Sequence, residues 1–210
     1  MSSNFFKRLQ AEHAQGSFAK FIRDSAASGE LFEVLPQLEK LDQVQQDPRW
    51  HPEGDVWTHT LLVIESLPVN ATFAMALSAL FHDVGKLKTT VIREDGRITA
   101  YGHESVSRKI ANEMLDILGA DPELKREVLF LVFRHMIAHS KETNKKTLHR
   151  LIMEGGYELV DQLLWHGYAD VKGGCGDFSN CIRLRELFES IKTCSNKHAA
   201  PQTVSRINRL

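Results

Sequence analysis

Apolar residues recur at three- and four-residue intervals along almost the whole chain, the spacing of one buried helix face. This pattern predicts short amphipathic helices over residues 3–14 and 17–27, ending near Gly16 and Gly29, and "GELFEVLPQLEKLDQ" continues the helical tendency with a break at Pro36. In "DVWTHTLLVIESL", Asp55 is an N-cap candidate, and Val56, His59, Thr60, Val63 and Leu67 share one face, so His59 is expected on the core side. Residues 71–82, "ATFAMALSALFH", are apolar nearly all round, as in a central buried helix with His82 and Asp83 at its C-terminal end. β-Branched runs flank Asp95-Gly96 in "TTVIREDGRITAY", a short hairpin signal. Helices resume with "ESVSRKIANEMLDILG", closed by Gly119, and with "DPELKREVLFLVFRHMIAHS", where Asp121 caps and Pro122 takes the first position. His103 starts the first of these, and His135 falls near the end of the second. Helices over roughly 145–154 and 157–171 are separated by Gly155-Gly156, and a last one covers about 177–193. The expected fold is an all-α bundle with a short β-hairpin insertion: an N-terminal helical extension over 1–50, the main domain over 51–195, and a mildly basic C-terminal tail over 196–210.

Composition narrows the functional classes. With 42% apolar residues in 210, the chain can bury a sizeable core. The 26 basic and 27 acidic side chains leave a formal charge of -1, so no global field attracts nucleic acid or an anionic membrane; RNA binding would need a local basic patch. Cys175, Cys181 and Cys194 are odd in number and lack a C-x-x-C spacing, which argues against disulfides and a thiolate zinc site and favours a reducing cytoplasm. The first residues turn polar before any signal-like region develops, and no apolar run reaches the length of a membrane span.

Ten histidines are the outlying number, and imidazole is the commonest metal ligand at neutral pH. A His-Asp dipeptide alone means little, because 10 His and 11 Asp in this chain give about half of one such pair by chance. More telling is that His59, His82, Asp83, His103, His135 and Asp170 all fall at core-facing or terminal helical positions, on different elements except for the adjacent pair. Their spacings of 23, 20, 32 and 35 residues suit a bundle in which several helices each direct one side chain inward. Nitrogen and carboxylate ligands suit one or two divalent ions among Mn, Fe, Ni, Co, Zn and Mg without choosing between them.

In this order, "WTHT", "FHDVGK", "YGHES", "FRHM" and "YADVKG" resemble the HD superfamily of metal-dependent phosphohydrolases, whose signature is a His, a His-Asp pair and a distant Asp. His59, His82-Asp83 and Asp170 match those four positions, and His103 and His135 look like the additional histidines of dinuclear members. The match covers about residues 50–172. The run "LFEVLPQLEKLDQVQQDPRWHPEGDVWTHTLLV" is similar to the region entering the HD domain of bacterial tRNA nucleotidyltransferases. Those enzymes also need a glycine-containing loop and paired carboxylates for nucleotide addition, and nothing before residue 50 supplies them, so nucleotide addition is not expected.

The resemblance implies hydrolysis of a nucleotide or other small phosphate ester, monoester or diester, through a metal-activated water. Asp83 and Asp170 are suited to orient that water, Asp83 is a candidate to bridge two ions, and Lys86 is placed to set a cation against the phosphate. Arg134 is a weaker phosphate candidate, since adjacent helical residues face different directions. His51, Glu53 and Asp55 are read equally as mouth-lining or capping residues. Trp50 and Trp57 are read as packing residues with a base-stacking alternative, Glu104 as a helix-start carboxylate, and His139, His149 and His166 as structural or surface side chains. Two rival functions are a module that binds nucleotide or RNA ends without hydrolysis, and a subunit of a tRNA-processing enzyme.

Overall fold

A computed structural model describes residues 2–174 and 176–199. Helices α1 (Ser2–Ala14), α2 (Phe18–Ala27) and α3 (Glu30–Val34) open the fold. Pro36 has no N–H to continue a helical ladder, and the chain passes there into two 3-10 turns, Pro36–Leu38 and Leu41–Gln43. α4 (Val56–Glu65) begins at Asp55, whose carboxylate accepts the Thr58 N–H at 2.8 Å. That bond satisfies one of the unpaired donors of the first turn, a cap worth about 1 kcal/mol. α5 (Phe73–Phe81), capped by Thr72, is buried on every side from Ala74 to Phe81, as its sequence requires.

Beyond the His82-Asp83 pair lies a four-residue helix, α6 (Lys86–Thr89), that periodicity does not foresee because it is a single turn. The expected hairpin follows, β1 (Val91–Ile92) against β2 (Ile98–Thr99), pairing Val91 with Thr99 and Ile92 with Ile98. α7 (His103–Leu118) closes at Gly119, and α8 (Pro122–Arg134), capped by Asp121, runs into a 3-10 turn over His135–His139. α9 (Lys145–Gly173) is two helices in direct succession: Gly156 has φ 81° and ψ 169°, a break only glycine makes cheaply. α10 (Ser179–Ala199) continues past 193, so residues 196–199 of the expected tail are helical and 200–210 lie outside the described residues.

α4, α8 and α9 pack around α5, and α7 packs on α8. One continuous core joins Phe5, Leu9 and Ile22 of the first helices to Leu77, Phe81, Met114, Leu131, Leu163 and Phe188. No described helix is long and apolar enough to cross a membrane.

Three close approaches carry the functional side chains. Loop 46–54 is closed by a single antiparallel bridge between Gln45 and Asp55, with the Gln46 N–H on Gly54 O at 2.9 Å; no strand pattern announces it. Gly85 lies against the first turn of α7: its N–H donates to Ser107 Oγ at 2.8 Å, and a Cβ there would sit 2.4 Å from His103 O. Gly167 of α9 likewise meets the His135–His139 turn, where a Cβ would come within 2.4 Å of Ala138 Cβ, and Asn180 Nδ2 ties the Ala138 carbonyl to α10 at 2.6 Å.

Because backbone rather than a flexible side chain opposes it, Gly85→Ala is expected to cost about 1–3 kcal/mol in urea unfolding. An unchanged midpoint would show that α6 and α7 tolerate a wider separation. Cys181 packs against Ala138 and Val171, and burial, reinforced by Asp170 and Asp177, pushes its thiol up to about 11. The folded value exceeds the ordinary thiol value of 9.0, so the fold favours the protonated form; its contribution is complete below pH 9 and is lost as pH rises through 11. Iodoacetamide at pH 9 is therefore expected to spare Cys181 in the native protein and label it in the denatured chain. Equal labelling would contradict the burial.

Candidate metal centre

His59 projects from α4, His82 and Asp83 follow α5, His103 is the first residue of α7, His135 follows α8, and Asp170 lies in α9. All six are buried and converge on one point of the bundle interior. Their atoms form two triads, His59/His82/Asp170 and Asp83/His103/His135, each with donor atoms within 4.8 Å of one another. In the first, His59 Nε2 is 2.9 Å from Asp170 Oδ1 and His82 Nε2 is 3.9 Å from the same oxygen. In the second, His103 Nε2 and His135 Nε2 are 3.0 Å apart and stand 3.1 and 3.7 Å from Asp83 Oδ1. The other Asp83 oxygen lies 3.3 Å from His82 Nε2, so one carboxylate spans both triads.

The outward ring nitrogens determine what the inward ones offer. His82, His103 and His135 each donate from Nδ1 to the carbonyl three residues earlier, Ala79, Ala100 and Val132, at 2.7–2.9 Å. His59 donates from Nδ1 to Glu53 Oε1 at 2.6 Å. With Nδ1 carrying the proton, a neutral imidazole presents an unprotonated Nε2 inward. In that neutral form, four nitrogen lone pairs and the carboxylate oxygens would face one another across 2.9–3.9 Å, an arrangement of acceptors that needs positive charge, from protons or a cation, between them. Buried polar atoms normally have partners, yet His82 Nε2 and Asp83 Oδ1 have no hydrogen-bond partner among the described residues, only other donor atoms of the cluster beside them. Neutral imidazoles with the outer nitrogen anchored, together with two carboxylates, fit a divalent cation.

The surroundings shift protonation in both senses: without a cation, carboxylate neighbours favour the charged form of His59 and His103, while burial favours the neutral form of His135. Burial opposes ionisation of Asp83, but His82, Lys86 and His103 prevail and hold its carboxyl well below the usual range. Asp170 is likewise held down against burial, by His139 and His59. Burial opposes His59 too, and the carboxylates of Asp170 and Glu53 raise it to about 9 in the absence of another cation. His135, deprived of water and facing the charge of His82, is driven well below its ordinary value.

The remaining sequence candidates divide. Lys86 is buried beside the centre, its Nζ 2.6 Å from Asp83 Oδ2 and 2.6 Å from Gln46 Oε1. Arg134 pairs with Glu154 at 2.8 Å and stacks on Phe133. Trp57 packs against Phe32, whereas Trp50 is 62% exposed. Asp55 is the α4 cap, and Glu104 begins α7 with a carboxylate oxygen 3.9 Å from His103 Nδ1.

Three neighbours of the centre were not singled out by sequence reasoning, which read Glu53 equally as a mouth-lining or capping residue and His139 and His166 as structural or surface side chains. Glu53 Oε1 accepts from both His51 Nδ1 (2.8 Å) and His59 Nδ1 (2.6 Å). His139 Nε2 holds Asp170 Oδ2 at 2.8 Å from the rim. His166 is fully buried with its ring 5.5 Å from that of His82, and burial pushes it down to about 4, so it is neutral. A usable signal existed for His139, four residues after His135; for Glu53 and His166 nothing local distinguished them.

An all-helical bundle that gathers four histidines and two aspartates into one buried cluster defines the class of site. Comparison with curated proteins finds relatives named Multifunctional CCA protein. That of Halorhodospira halophila is 36% identical over 114 residues, 53% of this chain and 26% of the relative. That of Thioalkalivibrio sulfidiphilus is 31% identical over 177 residues, 81% of this chain and 42% of the relative. That of Methylococcus capsulatus is 29% identical over 178 residues, 81% and 40%. The chain spans less than half the length of these relatives, and no family model matches it.

Removing one partner of a buried ion pair strands the other. Asp83→Ala is accordingly expected to destabilise the metal-free protein by about 3–5 kcal/mol through the uncompensated Lys86 ammonium, and Asp83→Ala/Lys86→Met to recover most of that loss. A double-mutant cycle in urea with no coupling would disprove the pairing.

Proposed function

We propose that this chain is an HD-type metal-dependent phosphohydrolase acting on a nucleotide or another small phosphate ester. The observation that supports it most is the inward convergence of four histidine Nε2 atoms on two buried carboxylates, with His82 Nε2 and Asp83 Oδ1 lacking a hydrogen-bond partner among the described residues. The resemblance of "WTHT", "FHDVGK", "YGHES", "FRHM" and "YADVKG" to the HD superfamily points the same way.

His59, His82 and Asp170 would hold one divalent ion, and Asp83, His103 and His135 a second. Bound there, such an ion supplies charge against phosphoryl oxygens and lowers the pKa of a water toward neutrality. The chain's own residues do the positioning. Asp83, reaching both triads with separate oxygens, is the carboxylate best placed to orient the attacking water. Lys86 fixes that carboxylate through Oδ2 and brings a positive charge to the same edge, where a transferring phosphoryl group gains from it. His139 holds Asp170 Oδ2 and leaves Oδ1 turned to His59. Arg134, committed to Glu154, would have to exchange partners to reach a phosphate.

A second reading, work on RNA ends as part of a tRNA-processing enzyme, is favoured by the similarity to Multifunctional CCA proteins over 81% of this chain. On that reading the substrate is an RNA terminus or the partner is a nucleotidyltransferase.

The test is hydrolysis of p-nitrophenyl phosphate, its bis-ester, and 2',3'-cyclic and 3',5'-cyclic nucleotides with Mn, Ni, Co or Mg, alongside metal content. Turnover is expected only with added metal. His82→Ala should lose bound metal and Asp83→Asn should lose at least about a hundredfold in rate, the scale of one charge-stabilising group, with helical circular dichroism preserved. Turnover that persists in either variant would sink the assignment, and metal uptake without turnover on any ester would favour the second reading.

A further inference from the structure

The chain has three tryptophans, and two of them are packed. Trp57 meets Phe32 edge to face at 5.8 Å, and Trp165 touches Tyr168 at 5.9 Å and carries the Arg185 guanidinium over its ring at 4.6 Å. Trp50 is 62% exposed, and among the described residues no ring or cation stacks on it and its indole N–H meets no acceptor. An indole left in water forfeits the transfer energy of one of the largest apolar side chains. The loop beneath it is nevertheless held still. The Trp50 and His51 N–H groups both donate to Asp47 O, at 3.0 and 2.9 Å, and the Asp47 carboxylate accepts the Arg49 N–H at 3.1 Å and Arg49 Nε at 2.8 Å. Gln46 Nε2 donates to Asp55 O at 3.2 Å, and the Gly54 N–H to His51 O at 3.1 Å. This network fixes the backbone and leaves the ring unengaged.

The loop lies directly on the centre. Gln46 Oε1 accepts from Lys86 Nζ at 2.6 Å, and the His51 ring stands edge to face with that of His59 at 4.7 Å. The Trp50 carbonyl meets the end of α9, where a Cβ on Gly174, four residues past Asp170, would come within 3.0 Å of it. Trp50 therefore adjoins His51, a partly exposed residue in contact with the cluster. A nucleotide whose phosphate enters the cluster holds its base one ribose away, and a base at that remove falls on the rim. Tyr101, two residues before His103, is exposed as well, but the Arg93 guanidinium already lies over its ring at 5.5 Å.

We propose that Trp50 determines specificity: its indole stacks on the base of a nucleotide whose phosphate is directed at the buried cluster. The inference rests on the reading of the cluster as a phosphate-ester site, and it narrows the ester to one that carries a flat aromatic base. Every nucleobase has a π face, so the stack selects for the presence of a base without choosing among bases. Tryptophan suits this task because a large rigid contact is made at the entropic cost of only two side-chain torsions.

The test compares adenosine 5'-monophosphate with ribose 5-phosphate, which differ by the base alone, in calorimetric binding and in hydrolysis with MnCl2 present. Adenosine 3'-monophosphate and adenosine 2',3'-cyclic phosphate vary the position of the phosphate. The unsubstituted protein is expected to bind an adenine nucleotide at least about fivefold more tightly than ribose 5-phosphate, with quenching of tryptophan fluorescence by the nucleotide only. Trp50→Ala should weaken the nucleotide by about 5–150-fold, the range of one base–aromatic stack, abolish the quench and leave ribose 5-phosphate unchanged. Trp50→Phe should keep most of the affinity. Where the nucleotide is turned over, the loss should fall on KM with kcat unchanged, as for an interaction equal in ground and transition states. Matching thermal midpoints of the variants exclude a loss of fold. Equal binding of nucleotide and ribose 5-phosphate, a Trp50→Ala that shifts both or neither, or no binding of any of the three adenine nucleotides would overturn the stack. The two readings fail separately. Metal-dependent turnover of p-nitrophenyl phosphate with nucleotide binding indifferent to Trp50→Ala removes the stack and leaves the hydrolase, whereas base-dependent binding lost in Trp50→Ala, without turnover of any ester, upholds the stack and removes the hydrolase.

Discussion

Four imidazole nitrogens and the oxygens of two carboxylates crowd together in the interior, and the bundle can keep them so close only around positive charge, whether protons on the rings or a cation. Everything else in the interior serves that constraint. α5 and α8 end at His82 and His135 themselves, Gly156 splits α9 ahead of the half that carries Asp170, and the apolar core around α5 shields the cluster from water. Buried carboxylates are normally costly. Here each has cationic or hydrogen-bonding neighbours on more than one side, and the cost is offset locally rather than by the fold as a whole.

Much of this was legible in the sequence because it is local. Asp55, Asp121 and Gly119 announce helix ends through the chemistry of the first and last turns, Asp95-Gly96 announces its hairpin, and the unbroken apolar run before His82 can only be a helix buried all round. The six candidate ligands were chosen by helical position and order along the chain, and they meet because each lies at a helix end or on an inward face. What escaped is what depends on chain segments far apart. That Lys86 is clasped by Gln46, forty residues earlier, and that Arg134 is taken by Glu154 follow from packing and not from any period. Glu53 lies in a loop whose closing bridge has no strand signature, so its carboxylate could have faced solvent or core. His139 lies one turn beyond His135, but the change from α to 3-10 geometry after Arg134 alters the direction in which it points.

Glycine has two roles in this architecture that the sequence shows without explaining. At Gly156 it permits a backbone direction that splits one long helix, and at Gly85 and Gly167 it removes a Cβ so that the α7 backbone and the Ala138 side chain, respectively, can approach. The second role matters more for the site. Gly85 keeps Asp83 within reach of His103, and Gly167 lets the turn carrying His135 and His139 settle on α9 beside Asp170.

The carbonyls that hold His82 and His135 belong to the last turns of α5 and α8, and both helices end at the centre. A helix terminates in about half a unit of negative charge on its unpaired carbonyls, so two such ends face the cluster, with the N-terminus of α7 at His103 opposing them. Attraction for a cation is thereby written partly into the main chain, where no side-chain substitution can remove it. Substituting a side chain of the cluster changes the donors it offers, while the inward negative potential of the scaffold itself persists as long as those two helices end where they do.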